Sequence, residues 1–486
     1  MGKKSILKNY IYNLSYQILT LILPIITTPY LARVLGAEGT GIYGYTFSIA
    51  TYFILFGSLG VALYGQREIA YAQENKEKRK KTFIEIIIFR FITMAISIVV
   101  YYIFFMRKGE YSQYYTILLL ELIAAAFDIS WFFQGLEEFK KTVIRNILVR
   151  IVSVSCIFIF VKEPQDLNKF IFIYSLADLV GNLSLWLYLP KYLQGIEVKN
   201  INIVSQIPQI LLLFVPQISN QLYKMLDTTM IGKIISDKAE TGYYEQAQKV
   251  TRLLLTIVTS LGTVMIPRMA NTFASGDQKK VKEYMKNSFH FVFFLSFPMM
   301  FGISTVSDAF VPIFFGDGYE KVALLIKIIS PILLLMGIAN VIGTQYLLPT
   351  KRQKEYTISI VVGVVVNFIL NYILIYKFAS IGASIATVLS QIIVEAIQFY
   401  VIRNEISFKE VVKYSYKYLI SGVFMLLICT LSKLIVSTGL VTIILQVGVG
   451  VISYIGMLIL LKEDYIYIFI NKIKDRFLKK TNKNNA

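Results

Sequence analysis

Histidine and cysteine, on which most metal sites and many enzyme active sites depend, are nearly missing from this chain of 486 residues. The one histidine is His290, which excludes a histidine-based metal site and leaves no Ser–His pair for nucleophilic catalysis. The two cysteines, Cys156 and Cys429, lie far apart, each inside an apolar run, which excludes a disulfide framework. We therefore expect neither a metal nor a cofactor.

Charged residues are scarce as well. They make up 16% of the chain, against about 25% in soluble globular proteins, whereas 56% of the residues are hydrophobic. The mean hydropathy is +0.61, which indicates a protein that crosses a membrane several times. The formal net charge is +19. Its distribution over the loops is explained by membrane topology, so we expect no nucleic-acid partner.

Two features of pumps and membrane enzymes are missing. The phosphate-cradling pattern GxxxxGK[ST] does not occur, so we expect no ATP-binding site. No loop is long enough for a folded domain that carries catalytic carboxylates. These absences predict a transporter and not an enzyme, driven by a cation gradient, the membrane potential or the substrate gradient. A polysaccharide polymerase, which would need a catalytic exported loop, is the less favoured class.

Long apolar runs, bounded by charged residues or Gly/Pro turns, predict an all-α integral membrane protein with about fourteen spans. The first run contains Asn9, Asn13 and Gln17 and lacks a cleavage site, so it is expected to span the membrane and not to be a cleaved signal. Lys and Arg are concentrated in one set of alternate loops, which predicts that both termini are cytoplasmic. The predicted spans lie near 6–33, 40–66, 82–106, 112–133, 143–161, 169–190, 203–232, 242–273, 287–311, 322–349, 356–376, 381–402, 413–434 and 440–461.

The sequence contains an internal repeat. Thr40-Gly41-Ile42-Tyr43, before the second span, is echoed by Thr241-Gly242-Tyr243-Tyr244 before the eighth. Spans one and seven run in the same direction, which predicts parallel repeats related by an axis along the membrane normal. The expected organisation is an N-lobe of six spans, a C-lobe of six spans, a final pair of spans and a basic cytoplasmic tail, over residues 1–200, 201–404, 405–462 and 463–486.

Polar side chains recur along one face of the seventh span, between apolar residues on the other face. Amides and charges exposed to lipid are costly, so this face is expected to line a cavity. It is expected to lie opposite the first span, whose own polar face contains Asn9, Asn13, Gln17 and Thr20. The polar residues of the seventh span are Gln206, Gln209, Gln217, Asn220, Lys224 and Asp227.

Three cations inside predicted spans, Lys224, Lys249 and Arg252, are candidates for a positively charged patch in the cavity of the second half. Pairing at helix-neighbour spacing is the other interpretation, with Lys224 bound to Asp227 and Lys249 to Glu245. The spacing alone leaves both interpretations open.

Acidic and basic residues also lie inside predicted spans of the first half. Glu121 and Asp128 are seven residues apart, which places them on one face of span four. Arg90 and Arg150 lie in spans three and five at comparable depth. Mutual salt bridges are favoured over a proton or cation site for this group, and Asp227 remains a further candidate for either role.

Specific stretches carry a family resemblance. They are NYIYNLSYQILTLILPIITTPYLARVLGAEGTGIYGY, the basic loop REIAYAQENKEKRKK and the later TGYYEQAQKVTRLLLTIVTSLGTVMIPRMA. Nearly the whole chain resembles the polysaccharide repeat-unit flippases. This is the Wzx-like branch of the superfamily that also holds multidrug and toxic-compound exporters and lipid II flippases. The most specific part of this resemblance is the motif P-x-x-x-x-P-Y-L-A-R-x-L-G-x-x-G-x-G at Pro24 to Gly41.

The resemblance implies two six-helix lobes around a central cavity, followed by two helices. It implies translocation of undecaprenyl-diphosphate-linked oligosaccharides from the cytoplasmic to the outer leaflet of the cell membrane by alternating access, for surface polysaccharide synthesis. Membrane lipids and the polysaccharide polymerase machinery are the further partners that it implies. Basic groups would then neutralise the diphosphate, and amides and hydroxyls would contact sugars. The candidate cavity residues are Lys224, Lys249, Arg252, Gln217, Asn220, Asn13, Gln17 and Thr20.

Two other functions within the same superfamily stay open. An ion-coupled exporter of small amphipathic cations would use acidic residues such as Glu121 and Asp128 as its working groups. A lipid II flippase is the closer alternative. Neither the sugar nor the coupling ion is specified by the sequence.

Overall fold

A computed structural model describes residues 6–193, 201–432 and 439–466 of the chain, with side chains except those of residues 6–18, 215–217, 219, 220, 223 and 224. Two compact units divide the chain, Met1–Gly242 and Tyr243–Ala486. The elements of the described ranges are helices. In lipid, where no water is present to bind backbone N–H and C=O groups, a helix satisfies these groups within the segment itself. The all-α membrane fold expected from the sequence is confirmed.

The first unit contains nine helices in the described ranges, and a tenth helix begins at its end. They are α1 (Ile6–Ser58), α2 (Val61–Tyr71), α3 (Lys76–Tyr101), α4 (Ser112–Ala126), α5 (Ser130–Gly135), α6 (Phe139–Phe160), α7 (Leu167–Trp186), α8 (Pro190–Leu193), α9 (Ile207–Ile234) and α10 (Ala239–Ala274).

The second unit continues α10 and adds six helices within the described ranges. They are α11 (Gln278–Phe315), α12 (Glu320–Ile329), α13 (Ile332–Ala339), α14 (Gln353–Ile402), α15 (Phe408–Ser432) and α16 (Leu440–Leu460). A π-helical segment, Asn340–Leu347, follows α13 directly.

Two helices are too long for a single crossing. α1 has 53 residues and α14 has 50, or about 75 to 80 Å at 1.5 Å per residue, against a hydrocarbon core of about 30 Å. Each is broken by one non-helical residue, Gly36 (φ 69°) in α1 and Ala379 (φ 48°) in α14. The described residues hold eleven helices long and apolar enough to span a membrane. Counting α1 and α14 twice and adding α9 gives the expected number of about fourteen.

Polar residues fix where helices begin in the loops. Asn75 Oδ1 accepts a hydrogen bond from Lys78 N at 2.9 Å before α3, and Asp277 Oδ1 accepts one from Lys280 N at 3.0 Å before α11. Both are N-caps, which satisfy backbone donors that the first turn leaves unpaired. The two caps therefore stabilise the starts of α3 and α11.

Aromatic side chains form much of the core of the first unit. Trp131, at the start of α5, is fully buried and stacks on Phe83 of α3 with 5.6 Å between ring centroids. A Cβ atom on Gly65 would lie 2.4 Å from the Trp131 ring, so α2 packs against this ring with no room for a side chain.

α9 also packs on α1 and α2, and the unit therefore extends to Gly242. The lobe boundary at residue 200 stays a prediction.

The core of the second unit is built by α11, α15 and α16. His290 Nδ1 on α11 lies 3.0 Å from the Tyr418 hydroxyl on α15, and that hydroxyl donates to Glu463 Oε1 at 3.1 Å after α16. The Tyr454 hydroxyl on α16 donates to the Phe294 carbonyl at 3.2 Å. The final pair of predicted spans is therefore packed against α11.

Candidate functional site

The seventh predicted span, α9, makes polar contacts with α1 near its C-terminal end. Thr229 Oγ1 lies 2.8 Å from Ser48 Oγ and 3.0 Å from the Tyr52 hydroxyl. Asp227, two residues earlier, is only 3% exposed and lies close to Tyr52. This part of the polar face thus points into the protein and contacts α1.

At the other end of α9, polar residues at its start and just before it bind charged residues of α2 and α3. Arg67 Nη2 donates to Gln209 Oε1 at 3.0 Å. Gln206 Nε2 donates to Glu85 Oε2, and the Asn202 backbone N–H donates to Glu85 Oε1 at 2.8 Å. Glu85 was not singled out from the sequence. In the sequence Glu85 follows Lys81 by one helical turn, the spacing of an ordinary surface ion pair. The structure shows that ion pair, at 3.9 Å.

The two TG-x-Y sequences meet where α1 approaches the start of α10. A Cβ atom on Gly41 would lie 1.9 Å from the Lys238 carbonyl oxygen, and one on Gly242 would lie 2.0 Å from the Ala37 carbonyl oxygen. Lys238 Nζ donates to the Gly232 and Ile235 carbonyls at 2.9 and 3.1 Å. It thereby satisfies carbonyls at the end of α9, which otherwise lack helical partners.

Arg90 and Asp128 are brought together by α3 and the turn after α4. Arg90 is buried, its Nη2 lies 3.9 Å from Asp128 Oδ2, and its Nε donates to the Ala125 carbonyl at 2.8 Å. α4 ends at Ala126, so the expectation that Glu121 and Asp128 share a helical face is wrong. Asp128 instead accepts a hydrogen bond from the Ser130 N–H at 2.9 Å, at the beginning of α5.

Arg150 forms an ion pair with Asp178 on α7, and its charge also acts on Glu121. Its Nη2 lies 3.6 Å from Asp178 Oδ1, and its guanidinium lies over the Tyr174 ring, 4.8 Å from the centroid. The position of Asp178 on α7 could be seen in the sequence, but its facing α6 could not, since that depends on how two helices pack.

Glu121 is a buried carboxyl group in the same region, 7% exposed. Asp178, Ser175 and Arg150 are its polar neighbours. Its Oε1 has no hydrogen-bond partner among the described residues, and neither has Ser175 Oγ. An ionised carboxylate in such a place is costly unless a proton or a cation accompanies it. This makes Glu121 the strongest candidate for a coupling residue in the first unit.

The cation candidates of the second unit lie one turn apart on α10. Lys249 is half-buried and Arg252 is exposed, and Glu245 lies one turn before Lys249, close enough for their charges to interact. The helix backbone of α9 includes Gln217, Asn220 and Lys224, but their side chains lie outside the described residues, as do those of Asn13 and Gln17. Thr20, on α1, is exposed. The cationic patch stays a prediction.

A row of buried polar residues on α14 was largely missed from the sequence. Asn371 Nδ2 donates to Asn367 Oδ1 at 3.0 Å, and Gln398 Nε2 donates to Ser359 Oγ at 3.2 Å. Glu395 is 5% exposed, and its Oε1 has no hydrogen-bond partner among the described residues. The signal was present, because Gln391, Glu395 and Gln398 recur at helical spacing inside an apolar span.

Comparison with known proteins agrees with this fold. The sequence model of a family described as "Polysaccharide biosynthesis protein" matches residues 6–273, and that of the family described as "MatE" matches residues 213–373. A protein of Escherichia coli (strain K12) named "Putative O-antigen transporter" is 25% identical over 408 residues, which is 83% of this chain and 98% of that protein.

Two solved structures have the same fold. The lipid II flippase MurJ, in an inward closed conformation, superposes with a TM-score of 0.71 at 17% sequence identity, covering 95% of this chain and 100% of that one. A multidrug resistance MATE family transporter, in an inward-facing conformation, superposes with a TM-score of 0.60 at 13% identity, covering 82% of this chain and 95% of that one. At such identities the likeness shows the fold alone.

Proposed function

Because this chain belongs to the polysaccharide biosynthesis protein family, whose sequence model matches more than half of it, we propose that it translocates undecaprenyl-diphosphate-linked oligosaccharide repeat units. The chain is a multi-pass membrane protein of the Wzx-like branch, and its relatives are named transporters and flippases, not enzymes. The proposed direction is from the cytoplasmic to the outer leaflet of the cell membrane, by alternating access, for surface polysaccharide biosynthesis.

The structural observation that supports a polar substrate most directly is the placement of the polar face of α9. Gln206, Gln209 and Thr229 contact polar or charged side chains of the first unit, and Asp227 is buried. A span that carries lipids with apolar heads has no need of so many enclosed polar groups, which are costly in a membrane. A polar face of this kind supports a cargo with a polar head group, such as a sugar.

In this proposal the diphosphate is neutralised by Lys224, Lys249 and Arg252, since phosphate oxygens bind ammonium and guanidinium groups most strongly. Amide and hydroxyl groups contact the sugars. These groups belong to Gln217, Asn220, Asn13, Gln17 and Thr20.

Coupling to a cation gradient or the membrane potential is assigned to the acidic residues of the spans. Arg90–Asp128 and Arg150–Asp178 are ion pairs, at 3.9 and 3.6 Å, and serve as structural pairs in this proposal. Glu121 has no such pair among the described side chains and is the proposed group that takes up a proton or cation. Asp227 is a second candidate.

The proposed setting is the cell membrane, with both termini in the cytoplasm, in contact with membrane lipids and the polysaccharide polymerase machinery. Lipid II is the alternative cargo, since the lipid II flippase MurJ has the same fold. An exporter of small amphipathic cations is the other alternative, through the match to the MatE family model.

Deleting the gene tests the proposal. Lipid extracts of the deletion strain, analysed by mass spectrometry, should accumulate an undecaprenyl-diphosphate oligosaccharide, and a membrane-impermeant oxidant of sugars should fail to reach it in intact spheroplasts. A plasmid copy of the gene should reverse both changes. Accumulation of lipid II would favour the alternative cargo. No accumulated lipid intermediate, together with increased sensitivity to cationic dyes, would favour the exporter.

A further inference from the structure

A groove with a volume of about 610 Å³ runs along the first unit between α6 and α7. Its walls are apolar side chains that no other part of the described chain covers: Leu148 and Val152 on α6 are 58% exposed and Val180 on α7 is 56% exposed. Gly181 brings the two helices close, since a Cβ atom there would lie 2.8 Å from Val149 Cγ2. In a membrane protein, such a surface is suited to hydrocarbon.

One end of this groove is positively charged. Lys140, Lys141 and Arg145 line it within the first two turns of α6. Two carboxylates, Glu137 and Glu138, precede α6 and do not line the groove. A third, Asp178 on α7, lies near Arg145 but forms its ion pair with Arg150. The three cations still leave an excess of positive charge at this end.

Two of these cations are held in place by the protein. Lys141 Nζ lies over the rings of Tyr192, Tyr188 and Phe133, at 4.4, 5.2 and 5.4 Å from their centroids. Arg145 Nη1 donates to Asn182 Oδ1 on α7 at 2.9 Å. Their positions are therefore fixed before any ligand arrives, which lowers the entropic cost of binding. Lys140 is exposed and can reach a ligand from solvent.

The length of the groove matches one leaflet of a bilayer. Lys140 and Val152 are twelve residues apart on α6, a rise of about 18 Å, and half of a hydrocarbon core is about 15 Å. The basic end also carries tyrosines, Tyr188 and Tyr192, which are enriched where a membrane protein meets the head groups. The groove therefore has charge at the interface and apolar walls toward the bilayer centre, in the same order as the head group and acyl chains of a phospholipid.

We propose that this groove binds an anionic phospholipid of the surrounding membrane. The phosphate and anionic head group lie against Lys140 and Arg145, and one acyl chain lies along Leu148, Val152 and Val180. Basic pockets between membrane-spanning helices bind such head groups. A zwitterionic phospholipid fits less well, because its ammonium group meets three cations. The proposal uses none of the residues assigned to the substrate and does not depend on the proposed cargo.

Native mass spectrometry of the purified full-length protein tests the site. The protein is titrated with phosphatidylglycerol or phosphatidylcholine of the same acyl chains. We expect a first phosphatidylglycerol to bind more tightly than a first phosphatidylcholine. Lys140→Gln should weaken its binding about fivefold, the effect of one basic residue near an anionic surface, whereas Lys140→Arg should bind as wild type. Lys409→Gln, which removes an exposed cation of the second unit, is the matched control.

A second variant tests the apolar part without a change in charge. Val180→Trp places a large ring in the groove at a position that is exposed, so the fold should tolerate it, and size-exclusion chromatography checks that it does. We expect Val180→Trp to lose the first phosphatidylglycerol site as Lys140→Gln does. Equal binding of both lipids to wild type would overturn the proposal, as would unchanged binding in both variants. Displacement of phosphatidylglycerol by equimolar undecaprenyl phosphate would assign the groove to the carrier lipid and overturn it too.

Discussion

Gly41 and Gly242, which hold the same place in the two TG-x-Y sequences, lie in direct backbone contact. The position of a Cβ atom on Gly41 is 1.9 Å from the Lys238 carbonyl oxygen and 2.9 Å from the Gly242 nitrogen, and that on Gly242 is 2.0 Å from the Ala37 carbonyl oxygen. Real side chains do not approach backbone atoms so closely. The contact therefore explains why glycine stands at both positions, because each glycine leaves room for a backbone carbonyl of the facing segment.

Replacing either glycine by alanine should separate α1 from the start of α10. The obstacle on each side is a backbone carbonyl, which cannot rotate away as a flexible side chain can, so we expect a loss of about 1–3 kcal/mol for each variant. Thermal unfolding of the purified protein in detergent, followed by light scattering or by a dye that does not react with cysteine, measures this loss of stability.

Gly448→Ala on α16 is the control for both glycine variants, since a Cβ atom there meets no atom within 4 Å. It should leave the unfolding temperature unchanged or raise it slightly, because alanine favours a helix over glycine. If Gly41→Ala and Gly242→Ala unfold at the same temperature as Gly448→Ala, the close backbone contact is not present in the folded protein.

Ser48 and Thr229 join α1 to α9 through hydroxyl groups that lie 2.8 Å apart. Hydrogen bonds between spans are modest, with an average coupling of about 0.6 kcal/mol. We expect Ser48→Ala and Thr229→Val each to destabilise the protein by about 1 kcal/mol or less. The double variant should lose less than the sum of the two, by about the coupling energy. Additive losses would show that the two hydroxyls do not interact.

Most of the helices follow from the sequence because hydropathy and loop charge are local properties of the chain. The kinks at Gly36 and Ala379 lie between spans that the sequence already separates, at 33–40 and 376–381. The break at 127–129 was not foreseen, since Phe127 and Ile129 are as apolar as the residues around them. At this break, backbone carbonyls accept hydrogen bonds from side chains of other helices, Ala125 from Arg90 on α3 and Phe127 from Trp186 on α7, and such contacts between helices cannot be read from the local sequence.

The candidate site was less predictable than the fold, because pairing between helices depends on rotation about each axis. Arg150 could face Glu121, Asp128 or Asp178 at equal depth, and only the packing of α6 on α7 selects Asp178. The polar face of α9 was recognisable, since helical spacing gives it directly, but its partners Arg67 and Glu85 were not. Arg67 lies just past the predicted second span and resembles a loop charge, and Glu85, one turn after Lys81 near the start of the predicted third span, resembles half of a surface ion pair.

Arg90→Gln should destabilise the protein. It leaves Asp128 without its cation at 3.9 Å and weakens the hydrogen bond to the Ala125 carbonyl, so the loss should be about 1–3 kcal/mol. Chemical or thermal unfolding in detergent measures it. The conservative Arg90→Lys should recover part of the loss. An unfolding temperature equal to that of wild type in Arg90→Gln would contradict a structural role for the pair.

Glu121→Gln should separate coupling from folding. The amide has nearly the shape of a protonated carboxyl group, and no described side chain forms an ion pair with Glu121 that would be broken, so the unfolding temperature should stay within a few degrees. Surface polysaccharide in a deletion strain that carries the variant should fall, because the amide cannot exchange a proton. Glu121→Asp should keep part of the function. Full polysaccharide production by Glu121→Gln would exclude Glu121 as the coupling group.

The double variant Lys224→Ala/Arg252→Ala tests the proposed diphosphate contact. Hydrogen bonds to charged groups contribute about 1.5–3 kcal/mol each, so losing two should weaken binding of the carrier by about 100-fold or more. The deletion strain complemented with this variant should accumulate the same lipid-linked oligosaccharide as the strain without the gene.

The control is Lys233→Ala/Lys321→Ala, which removes the same charge from two positions near loops and should complement fully. The unfolding temperature of the purified double variant, measured beside that of Lys233→Ala/Lys321→Ala, separates lost binding from lost folding. Normal polysaccharide synthesis with the first pair would remove these cations from the substrate site and leave Lys249 as the remaining candidate.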